Sequence, residues 1–291
     1  VKRMLTVYIE SEQEVISFCE QLFRHTKNIE INWKTNEEWG NEIQFEMVHA
    51  GLLDMIAKSM ADVFIIHRLG TMIKQIIEDI YYYSNPDEIE RIHDLTAWIY
   101  AGGDGDSLQL RNSRADRTKD PSHFLTTIFI ACMEETAVIH YESIIKFRLK
   151  AFKDELIHYV GIAIDEFKRE EDHQSFINTL REYIAKKEAL LPVIHIIQGN
   201  NFTFYNESGK PFTNIELRML MQKEPLYIVG LDENEMNLAP LVAMTPRKIK
   251  IYGDDPSEPK TLTVINVFQE KVEFQALRHF PFTYYLNNDQ K

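Results

Sequence analysis

The chain has 291 residues, 44% of them hydrophobic and 26% charged, with a net charge of -13. That length and balance exclude a disordered chain and leave room for one large or two ordinary folded domains. Asp and Glu outnumber Lys and Arg by 45 to 32, which disfavours generic nucleic-acid binding, because such surfaces draw affinity from neutralised phosphates.

The two cysteines, Cys19 and Cys132, form no CxxC pair and sit among apolar residues at helical spacing. They read as small core side chains, not as a disulfide scaffold. Val1-Lys2-Arg3-Met4-Leu5 has a basic start with no apolar stretch behind it, which is not the pattern of a signal peptide. No segment approaches the roughly 20 apolar residues of a membrane span; Lys74, Glu78 and Asp79 interrupt even Met72–Tyr83. The expected setting is soluble and cytoplasmic, with no transmembrane segment.

Met4–Glu10 alternates with the period of a strand. Ser11 then offers an N-cap and Glu14 the matching position of a capping box, ahead of Val15, Ile16, Cys19, Leu22 and Phe23 at helical spacing. Ile29–Trp33 and Ile43–Val48 alternate again. Residues 1–46 are therefore expected to form a small β-α-β-β unit.

Residues 47–188 read as a helical domain. Leu52, Leu53, Ile56, Met60, Val63 and Phe64 keep a 3.6-residue stripe that continues through Ile76, Ile77 and Ile80 to Tyr83. Ser84-Asn85-Pro86-Asp87 stops that helix and caps the next, which is expected to reach about Tyr100. Residues 101–122, rich in glycine and charge, are expected to be an exposed loop. The run from His123 to about Lys187 contains no proline and is expected to hold three helices.

Residues 189–291 change character. Val193–Ile197 and Phe202–Tyr205 flank Gln198-Gly199-Asn200-Asn201 as a hairpin, and Glu207-Ser208-Gly209-Lys210 makes a further turn. Lys248–Tyr252, a helix around Pro259–Phe268 and Val272–Phe274 are expected to form a β-α-β unit with parallel strands. The fold class is α+β, predominantly helical: an N-terminal β-α-β-β unit, a central helical bundle and a C-terminal α/β unit. Whether the outer zones share one sheet is left open.

Phe147-Arg148-Leu149-Lys150, Asp165-Glu166-Phe167, Phe176-Ile177, Leu180-Arg181-Glu182-Tyr183 and Val193-Ile194-His195-Ile196 are followed by Leu241–Ile249, Asn266-Val267-Phe268 and Val272-Glu273-Phe274. In order and rough spacing these blocks resemble the YtxC-like sporulation protein family of endospore-forming bacteria. The resemblance covers about residues 70–275. It implies a role connected with sporulation and brings no substrate or site residue with it. Relatives often carry cysteines just after the last strand, whereas Gln275-Ala276-Leu277-Arg278-His279 has none, which argues against a metal site there.

Two sets of residues carry candidate chemistry. On a continuous helix, Lys146, Lys150 and Lys153 would share one face with Arg148 beside them, a basic stripe able to hold phosphate, an acidic partner or a lipid head group. Phe147, Leu149 and Phe152 would then point elsewhere and anchor the helix. The bland counterpart is a solvated face paired with Asp154 or Glu155. The second set is His67 with the adjacent pair His93-Asp94. Metal-dependent phosphohydrolases of the HD type use such ligands to hold divalent ions that activate water, and His140 or Asp165 would complete the set. The dipeptide alone is a weak signal, since Asp94 fits an ordinary amphipathic helix.

Tyr81-Tyr82-Tyr83 cannot share one helical face, so at least one ring should be exposed. Gly102-Gly103-Asp104-Gly105-Asp106 lacks the spacing of a calcium loop, and no GxSxG, HExxH or GxGxxG occurs. His195 reads as a core or hairpin residue. The reading is a non-catalytic, sporulation-associated cytoplasmic protein that contacts a protein partner or small ligand and takes no cofactor. Self-association is left open. The alternative is a metal-dependent phosphohydrolase of the HD type.

Overall fold

The computed structural model describes residues 3–26, 29–36, 40–102, 121–232 and 234–282. Most of the glycine-rich loop expected at 101–122 lies outside the described residues.

Strand β1 (Arg3–Ile9) leads into helix α1 (Glu12–His25) and then strands β2 (Ile31–Asn36) and β3 (Gly40–Val48), the β-α-β-β order expected. Ser11 caps α1 by accepting the backbone N–H of Glu14 at 3.5 Å. The alternation of β1 sends Leu5, Val7 and Ile9 into the core, where Val15, Phe18 and Leu22 of α1 and Ile43 and Phe45 of β3 join them.

Helix α2 (Ala50–Phe64) passes through a π-helical turn (Ile65–Leu69) directly into α3 (Gly70–Asp79). The expected stripe is buried on both sides of that turn, through Ile56, Met60 and Phe64 before it and Ile73, Ile76 and Ile77 after it. Asn85 caps α4 (Pro86–Tyr100) by accepting the N–H of Asp87 at 3.0 Å, with Pro86 in the first turn where its missing N–H costs nothing.

Three helices follow as expected: α5 (Pro121–Glu135), α6 (Tyr141–Phe147) and α7 (Lys150–Ala185). Between the first two lies a strand that the sequence did not suggest, β4 (Val138–His140). It pairs in parallel with β1, Thr6 opposite Val138, Val7 opposite Ile139 and Tyr8 opposite His140. The first sheet therefore runs β2-β3-β1-β4.

The C-terminal part contains β5 (Val193–Ile197), β6 (Thr203–Tyr205), α8 (Asn214–Met221), α9 (Ala239–Met244), β7 (Lys248–Gly253), α10 (Pro259–Phe268) and β8 (Val272–Ala276). β5 and β6 form the expected antiparallel hairpin, and β7-α10-β8 is the expected parallel unit. The second sheet runs β6-β5-β7-β8 and is separate from the first. Ile194, Ile196, Ile249 and Ile251 line its core with Leu241, Val242 and Val264. Tyr205, Tyr252 and Phe280 form a small aromatic cluster of their own.

Two compact units divide the chain, Val1–Lys168 and Arg169–Lys291. Helix α7 gives Phe152, Leu156 and Val160 to the first core and Ile177, Leu180 and Ile184 to the second. Among the described residues, no helix is long and apolar enough to cross a membrane.

Candidate functional site

Tyr141 and Ile144 bury one side of α6, with Ile145 half-buried beside them. At helical spacing the next inward position of that stripe is Arg148, and Phe147 falls more than a quarter turn away. The helix ends there. Arg148 donates its backbone N–H to the Ile144 carbonyl at 2.8 Å, and the Lys153 N–H begins α7 on the Leu149 carbonyl at 2.9 Å. The expected continuous face is therefore interrupted, with Lys146 in the last turn of α6 and Lys150 and Lys153 in the first turn of α7.

Leu149 and Phe152 are buried anchors as expected, but Phe147 is not: 77% of it is exposed. Lys146, Arg148, Lys150 and Lys153 are all exposed as well. Arg148 reaches Glu135 of α5 at 3.1 Å, a surface pair with both side chains more than half exposed and hence of little energetic weight. None of the three lysines forms a salt bridge among the described residues.

A second constellation went unread in the sequence. Glu14 does not return to Ser11 as a capping box would have it; it is 2% exposed and its carboxylate takes a two-pronged grip from Arg68 of the π-turn. The same guanidinium donates to Glu142 of α6 at 2.6 Å. The bond to Glu14 raises the Arg68 pKa further above its ordinary value, so the cation is permanent. Tyr141, beside them, is buried, which pushes its phenol upward; its hydroxyl donates to the Met60 carbonyl at 3.4 Å.

Next to Glu142 the carboxyl ends of β1 and β4 open a cleft of about 360 Å³, lined chiefly by Tyr8, Glu10, Gly40, His140, Glu142 and Ser143. The rings of Tyr8 and His140 stack with centroids 4.8 Å apart and planes within 10°. Asn41 holds the rim by donating its side-chain amide to the carbonyls of Ile9 and Glu10 at 3.3 and 3.4 Å, and it accepts the Trp33 indole N–H at 3.2 Å. Gly40 has φ +80°, and a Cβ there would lie 2.8 Å from the Glu10 Cα, so only glycine closes this corner.

His93 Nδ1 lies 3.2 Å from Asp94 Oδ1, and Glu90 joins them in a set whose ligand atoms fall within 4.8 Å of one another. All three belong to α4, and Glu90 is already engaged by Lys74 at 2.7 Å. His67 stands in the π-turn with a buried Nε2 that lacks a hydrogen-bond partner, and it is not in that set; neither His140 nor Asp165 is.

Other sequence candidates divide between surface and core. Tyr82 is 83% exposed at φ +60°, whereas Tyr81 donates to the Ile157 carbonyl at 2.9 Å. His195 is buried, with Nδ1 3.0 Å from the Tyr252 hydroxyl, and burial foremost, then Lys250, lowers its pKa. Cys19 and Cys132 are free thiols pushed up by burial.

The YtxC-like family profile matches residues 54–273. The chain belongs to the YtxC-like family. It is 32% identical over 209 residues to the uncharacterized protein YtxC of Bacillus subtilis (strain 168), covering 70% of each chain. No solved structure matches it. The YtxC-like span takes in Arg68, His140, Glu142 and the whole Lys146–Lys153 segment, while Tyr8, Glu10, Glu14 and Gly40 precede it.

Proposed function

We propose that this YtxC-like chain is a non-catalytic, sporulation-associated protein of the cytoplasm that binds an acidic protein partner at the junction of α6 and α7. One observation carries the reading: Lys146, Lys150 and Lys153, exposed and without salt bridges among the described residues, flank an exposed Phe147 along the sequence in a chain of net charge -13. A basic patch on an acidic molecule steers and selects an acidic surface. An exposed aromatic ring among such charges supplies the apolar anchor that binding surfaces use. Family membership supports the sporulation role.

A phosphohydrolase of the HD type has less in its favour. Glu90, His93 and Asp94 come from a single helix, and His67 is not drawn into their set.

The test is genetic. Deletion of the gene in an endospore-forming host should lower heat-resistant spore counts, and the wild-type chain should restore them. The double variant Lys146→Glu/Lys150→Glu, expressed to the same level, should fail to restore. Unchanged counts after deletion reject the sporulation role, and full rescue by the double variant rejects the junction.

A further inference from the structure

The cleft at the carboxyl ends of β1 and β4 plays no part in that reading, and its chemistry points elsewhere. Glu10 and Glu142 place two carboxylates on its walls, Ser143 adds a hydroxyl, and among the described residues no Lys or Arg lines it. Arg68, the guanidinium on Glu142, is committed to Glu14 and Glu142. The stacked pair Tyr8–His140 forms a flat aromatic flank.

Each wall is held from behind. Asn41 fixes the backbone at Glu10, and the parallel register fixes Tyr8 against His140. Glu142 is fixed by Arg68, which is fixed in turn by the buried Glu14. Burying a carboxylate to orient a guanidinium carries a desolvation cost that an apolar pair would avoid. The π-turn that presents Arg68 is also a local departure from the better helix, of a kind frequent at functional sites. Both features meet Glu142 through Arg68. In open sheets, the crevice beyond the carboxyl ends of parallel strands is the usual ligand site, with a few converging polar groups on an aromatic wall.

We propose that this cleft binds a small organic cation, an alkylammonium or guanidinium group. Its N–H donors meet Glu10 and Glu142 in charge-assisted hydrogen bonds, and its charge faces the Tyr8 ring. A bare divalent ion does not suit it: among the described residues, Glu10, His140 and Glu142 do not bring three ligand atoms within 4.8 Å of one another. A cleft of about 360 Å³ accommodates a small organic molecule instead.

The experiment is calorimetric titration of the full chain with 1,4-diaminobutane and with methylguanidinium, and with neutral 1,4-butanediol as the control. At least one cation should bind and butanediol should not. Glu10→Gln, at an exposed position that leaves the fold intact, should weaken the cation about tenfold or more. Glu20→Gln, at an exposed carboxylate of α1 away from the cleft, should leave affinity unchanged. Absence of binding by both cations at millimolar concentration overturns the proposal. Equal binding of butanediol does so as well, and equal weakening by Glu10→Gln and Glu20→Gln shows only general attraction to an acidic chain.

Discussion

Arg68 ties three elements together: its own π-turn, α1 through Glu14 and α6 through Glu142. Its side chain is 38% exposed while that of Glu14 is 3% exposed, so the two partners lose very different amounts of hydration. Arg68→Met should leave the Glu14 carboxylate buried without a counter-charge. The expected loss is about 2–4 kcal/mol, below the value for a fully buried pair because Arg68 keeps part of its water. The double variant Glu14→Gln/Arg68→Met should recover much of that loss, since it removes the buried charge as well. Tryptophan fluorescence during urea unfolding checks this, because Trp33, Trp39 and Trp98 all fall within Val1–Lys168. A loss that persists undiminished in the double variant would contradict the pairing. The sequence shows Glu14 as half of a capping box because its local neighbours are visible there. Its true partner is 54 residues away, and no local pattern encodes that contact.

At the scale of elements, the break between α6 and α7 sets which aromatic ring is structural. Phe152 is buried against Phe64 and Tyr100, whereas Phe147 faces solvent. Phe152→Ala should cost about 3–5 kcal/mol and lower the melting temperature of the unit accordingly. Phe147→Ser should stay within about 0.5 kcal/mol of wild type. Comparable losses from the two would contradict the break. Elements with many repeats of their period are legible in the sequence: β1, α1, the α2–α3 run, the β5–β6 hairpin and β7-α10-β8. The strand β4 has three residues, too few to show an alternation, and its pairing with β1 is set by tertiary contact. The π-turn keeps apolar residues on both sides of it, so the apolar stripe hides the extra residue. The short helices α8 and α9 lie among turn residues and offer little period to read. The candidate site divides the same way: the lysines announce themselves by charge, but the helix junction and the exposure of Phe147 do not.

At the scale of the molecule, an acidic chain carries a basic helix junction with an exposed aromatic ring within the span that matches its family. Surface charge of this kind sets partner choice and association rate more than fold stability. The most direct measurement places a photo-crosslinking amino acid at position 147 of the full chain, expressed in sporulating cells of a host lacking its own copy. The account predicts a discrete cross-link to an acidic protein, lost when Lys146→Glu and Lys150→Glu are added. A cross-link pattern unchanged by that charge reversal, or no cross-link at position 147 in sporulating cells, would contradict it.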